Sequence, residues 1–88
     1  MLRTKQLVLD VLKPHKPDVL EFARAIAASG PDYRVQLTVI EMDDKTETLQ
    51  VIIDGADLQL DSIVAAIHEM GGSLHSIDGV NVSNEPSG

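Results

Sequence analysis

Apolar and polar residues alternate with period two from Lys5 to Lys13, with Leu7, Leu9 and Val11 on one face and Val8, Asp10 and Leu12 on the other. Pro14 and Pro17 end this first predicted strand, because proline cannot donate to a ladder. Asp18-Val19-Leu20-Glu21 then reads as a capping box. Val19, Phe22, Ala23 and Ile26 follow as one stripe of a helix predicted over 19–29, with Gly30 as its left-handed stop and Pro31 barring continuation. Tyr33, Val35, Leu37 and Val39 are odd-numbered, as are Leu49, Val51 and Ile53 beyond the polar turn Asp43-Asp44-Lys45-Thr46. If odd positions of both strands face one core, paired positions sum to an even number. An unbulged hairpin then has the three-residue turn 43–45.

A second helical stripe runs through Leu60, Ile63, Val64 and Ile67, with Asp61 in its first turn and Gly71-Gly72 closing it. A last strand is predicted over 73–82, with Gly79 as an irregularity, and 83–88 as a flexible polar tail. Strand–helix–strand–strand–helix–strand is an α+β, ferredoxin-like sandwich in a single domain over 1–82. It places a four-stranded antiparallel sheet, order 4-1-3-2, beneath two helices on one face.

Two helices cover one face of such a sheet. The even-numbered positions of the first three strands include Val8, Leu12, Ile40, Met42 and Ile52, more apolar surface than a face that simply meets water carries. These five are the expected interface of a homo-oligomer, since packing on another copy is a common way for a small domain to bury such surface.

Composition narrows the function. At 88 residues the chain has room for one core, and with no cysteine it excludes disulfide scaffolds, thiolate zinc sites and cysteine nucleophiles. A net charge of −7 argues against nucleic acid, and with Tyr33 and Phe22 as the only aromatics there is no stacking platform for single strands. No apolar run approaches the roughly 20 residues of a membrane span, and Met1–Lys5 has no signal-peptide core. The expectation is therefore a cytoplasmic protein that binds neither nucleic acid nor membrane. Nine of its acids are aspartate against four lysines, a balance that resembles proteins of a salt-rich, halophilic cytoplasm.

Histidine and carboxylate are the chemical stock. The predicted topology gathers His15, His75, Asp43 and Asp44 at one rim, where the first strand ends, the last begins and the hairpin turns. Asp10 and Asp78 fall on neighbouring strands, where two carboxylates can share a divalent cation, calcium or magnesium. Each has a plain structural counterpart: Asp10 as a solvated residue, His75 and Ser76 as strand-start hydrogen-bonders, Asp78 as a bulge residue. His68 is read as a surface residue of the second helix. No HExxH, Walker or GxGxxG motif is present, and no catalytic residue is assigned.

Three phrases together resemble one family: Leu9-Asp10-Val11-Leu12-Lys13-Pro14-His15, Ile40-Glu41-Met42-Asp43 with Lys45-Thr46-Glu47-Thr48, and Gly71-Gly72-Ser73-Leu74-His75-Ser76-Ile77-Asp78. They are similar to the small archaeal proteins of domain of unknown function family 211, over roughly residues 3–82. The resemblance implies a ferredoxin-like βαββαβ fold with a tendency to assemble, and no established activity. It singles out Asp10, His15, His75, Ser76 and Asp78, and it departs at Gly79, where similar sequences commonly carry an acid.

The leading functional expectation is a non-enzymatic, self-associating domain that binds a small-molecule ligand or a divalent cation at a protomer interface or sheet rim. The alternatives are a small enzyme using His15 or His75 with Asp10 or Asp78, and a purely structural assembly protein.

Overall fold

The structure is a computed structural model that describes residues 1–86. Its elements run β1 (Leu2–Pro14), α1 (Val19–Ala27), β2 (Arg34–Met42), β3 (Thr46–Asp54), α2 (Leu60–Glu69) and β4 (Ser73–Asn84). The sheet order β2-β3-β1-β4 is antiparallel throughout, the ferredoxin-like arrangement read from the sequence. α1 packs near β2, α2 near β4, and the two helices touch each other.

Parity builds the core. Leu7, Leu9 and Val11 on β1 lie opposite Ile53, Val51 and Leu49 on β3, and all six are buried. Phe22 and Ile26 from α1 and Ile63 and Ile67 from α2 close over them. Tyr33 is buried as well, and its hydroxyl oxygen accepts the Gln59 amide at 2.8 Å, serving a free donor at the start of α2.

The helix ends follow different devices. Asp18 caps α1 by accepting the Glu21 amide at 2.9 Å. α1 stops at Ala27, two residues before the predicted end, and Gly30 is not left-handed; Asp32 carries the positive φ of 56°. Gly30 is needed instead for close approach, since a Cβ there would lie 2.2 Å from Tyr33 Cζ. α2 ends as expected, in a Schellman motif: Gly71 has φ 84°, its amide donates to His68, and the Gly72 amide donates to Ile67.

Strand edges depart most from the expectation. The β2–β3 pairing shifts register between Val39 and Glu41, so the hairpin is bulged where the sequence suggests an unbulged one. Beyond the bulge Met42 pairs with the buried Glu47, which takes it out of the even-numbered row. β4 runs to Asn84, and Glu85 pairs with Arg3 and Lys5, so the segment read as a tail from 83 is strand or strand-bound through Glu85. Residues 87 and 88 of that expected tail lie outside the described residues.

Candidate functional site

Two clusters hold the chemistry, one on the uncovered sheet face and one at its rim.

On the face, β1 contributes Asp10, with Val8 and Leu12 on either side, and β3 contributes Thr48, Gln50 and Ile52 directly opposite. β4 meets them through two bulges. His75 is the extra residue where pairing passes from Asp10–Ser76 to Val11–Leu74, and Asp78 is the extra one between Val8–Gly79 and Leu9–Ile77. A bulge turns an additional side chain to the same side as its neighbour, and both are delivered to the Asp10 side. Asp10, Val11, Leu12, Thr48 and His75 line a shallow depression of about 220 Å³. Asp10, Ile40, Thr48, Gln50 and Asp78 line a second of about 290 Å³. Asp78 accepts the Ser76 hydroxyl at 2.8 Å. The structure thus brings Asp10, His75 and Asp78 around one central strand.

At the rim, β1 continues its inward row with Lys13, which is fully buried, opposite Glu47 at 6% exposure. Lys13 Nζ lies 3.1 Å from Glu47 Oε1. The Lys13 ammonium also donates toward the carbonyls of Pro14 at 2.6 Å, His15 at 3.4 Å and Pro17. The ammonium also sits 6.0 Å from the centroid of the Phe22 ring. Glu47 Oε2 meets His15 Nδ1 at 3.0 Å, and the other ring nitrogen faces the Asp43 carbonyl at 2.9 Å. Asp43 organises the turn, its carboxylate accepting the Lys45 and Thr46 amides at 2.9 and 2.8 Å.

These contacts set the electrostatics. The Glu47 hydrogen bond raises the His15 pKa above its ordinary 6.5, against a smaller lowering by burial, with the Asp43 and Asp44 carbonyls adding to the rise. Glu47 is lowered, first by His15 and, with burial opposing, then by Lys13. Asp43 is lowered by the Lys45 and Thr46 amides.

Of the expected rim set, His15 and Asp43 meet, and the Asp44 carbonyl also faces the ring. His75 lies inward of the rim, beside Asp10. Among the described residues no three histidine or carboxylate side chains are grouped as a metal centre, and no helix is long and apolar enough to cross a membrane.

The comparisons agree with the resemblance. The model of domain of unknown function family 211, described as an uncharacterized ArCR, matches residues 5–85. The chain belongs to this family. An uncharacterized protein of the archaeon Methanocaldococcus jannaschii is 40% identical over 76 residues, covering 86% of this chain and 78% of that protein. In this family member the phrase Leu9–His15 supplies both the Asp10 side chain on the open face and the Lys13–His15 pair at the rim.

Lys13 and Glu47 are what the sequence reading missed. The signal was present: both are odd-numbered and extend the two buried rows by one place. Parity alone puts a lysine and a glutamate face to face under the helices.

Proposed function

We propose that this chain is a non-enzymatic, self-associating domain whose uncovered sheet face packs against a second copy. The depressions beside Asp10 are then enclosed as a site for a small ligand or a divalent cation. The observation that supports this is the make-up of that face. Ile40 is 61% and Leu12 39% exposed, with Val8 and Ile52 beside them, while both helices are spent on the other side.

A second copy suits the face in shape. Nine-residue strands in a four-stranded sheet offer about 30 by 19 Å. Two such faces together bury on the order of 1,200 Å², the lower end of a stable interface. Arg34 lies opposite Asp54 at one end of the face, and Asp54 also accepts the Gln6 side-chain amide. Bulges in both edge strands, β2 and β4, disfavour edge-to-edge sheet extension.

Sedimentation equilibrium tests the reading. The expected result is a dimer or larger species at tens of micromolar. Ile40→Glu, at an exposed position that leaves the core intact, is expected to weaken association about 100-fold or more, since a carboxylate would be buried in the contact. Native mass spectrometry with and without chelator reports a bound calcium or magnesium ion. A wild-type monomer across that range overturns the proposal.

A further inference from the structure

The rim cluster has a use that is independent of self-association. His15 ties together two segments far apart in sequence: the loop between β1 and α1, and the tip of the β2–β3 hairpin. The geometry points to a proton-operated latch: a His15 imidazolium fastens the hairpin tip to that loop, and loss of its proton frees the tip.

A carbonyl oxygen cannot donate, and neither can an ionised carboxylate. Both ring nitrogens of His15 face such acceptors, at 3.0 Å and 2.9 Å, so both must carry hydrogens for both contacts to attract. Only the imidazolium has two. A neutral ring has one, and the charged Glu47 carboxylate is the stronger acceptor. The neutral ring therefore keeps Nδ1–H on Glu47 and sets a bare lone pair against the Asp43 carbonyl. The contact to the hairpin is the one that opens.

The surroundings determine which side moves. Lys13 gathers the Pro14, His15 and Pro17 carbonyls around a buried ammonium, so the loop that carries the ring is a fixed mount. The tip is a compact unit of its own, with the Asp43 carboxylate on the Lys45 and Thr46 amides and the Asp43 amide on the Thr46 carbonyl. Residues 40–45 are exposed, and the register shift before Glu41 loosens their pairing to β3. The tip swings as a body once the His15 bond is lost.

The groups in contact with the ring favour the closed form near neutral pH, and the nearby lysines oppose it. β3 presents Glu47, and the turn presents the Asp43 and Asp44 carbonyls together with the Asp43 carboxylate. Lys13 lies on the far side of Glu47 and keeps it ionised, while Lys16 and Lys45 are exposed cations. Because the His15 value is raised, the stabilisation is complete below 6.5 and is lost as pH rises through the higher folded value. Because the Glu47 value is lowered, its share is complete above 4.5 and is lost as pH falls through the folded value. The latch is shut between these limits.

NMR on the labelled full chain from pH 5.5 to 9 tests this. The His15 ring, distinguished from His68 and His75 by His68→Gln and His75→Gln, is expected to titrate above 6.5. The Asp43 carbonyl shift should follow the same midpoint. Amide order parameters of Asp44 and Lys45 should fall from about 0.85 toward 0.6 or lower, while Leu49–Ile53 stay rigid. In His15→Gln, where the side chain cannot titrate, the tip should have one order parameter at every pH, with unchanged Leu49–Ile53 signals confirming the fold. A wild-type tip that stays constant through the ring's titration overturns the latch. So does a tip whose pH dependence persists in His15→Gln.

Discussion

Replacing Glu47 by leucine is expected to destabilise the fold by about 3–5 kcal/mol, because it leaves the fully buried Lys13 ammonium without its counter-charge. In an 88-residue domain that corresponds to a fall in Tm of more than about 12 °C. Lys13→Met should be costly too, since it leaves the buried carboxylate with His15 alone and releases the loop carbonyls that the ammonium gathers. The pair replaced together, Lys13→Met with Glu47→Leu, should recover the share of the loss that comes from an uncompensated buried charge, while the loop carbonyls stay released. Chemical denaturation of the two single variants and the double variant measures the coupling. If the double variant is as unstable as the sum of the singles, the two residues do not act as a pair.

Phe22→Ala is expected to cost about 3–5 kcal/mol, the range for a fully buried phenylalanine. The ring joins the core to the rim. A Cβ on Gly72 would lie 2.8 Å from its Cζ, so the α2–β4 turn is moulded to it, and the Lys13 ammonium stands beside it. Phe22→Leu separates these roles by retaining apolar bulk while removing the ring. Its cost should fall well below that of alanine if packing dominates, because the cavity left is smaller. A loss for leucine equal to that for alanine in the same denaturation experiment would show that the ring's shape against the Gly72 turn and Lys13, and not its bulk, carries the stability.

The fold was legible because parity and helical stripes act locally: Leu7, Leu9, Val11, Leu49, Val51 and Ile53 announce one face, and Phe22, Ile26, Ile63 and Ile67 announce what covers it. The same parity reaches Lys13 and Glu47, which were overlooked because a charge at the end of an apolar run reads as a solvated flank. Bulges were not legible in the same way. Whether Ile40, His75 or Asp78 is an extra residue depends on the partner strand's register, which no local pattern encodes. Gly79 alone hinted at one. Strand ends are likewise set by partners: β4 reaches Asn84 because Leu2 lies opposite it, and Glu85 is held by Arg3 and Lys5. Gly30 illustrates a further limit, since its need arises from the ring of Tyr33 and not from helix termination.

The claim that a second copy covers the open sheet face is tested most directly by methyl relaxation with a soluble paramagnetic probe at about 100 μM protein. Ile40 on the open face and Leu20 on α1 are comparable internal references, 61% and 63% exposed in the single chain. Strong broadening of the Leu20 methyls is expected, with Ile40, Leu12 and Ile52 spared and Ile40 broadening recovered on dilution. Equal broadening of Ile40 and Leu20 at every concentration would contradict a covered face.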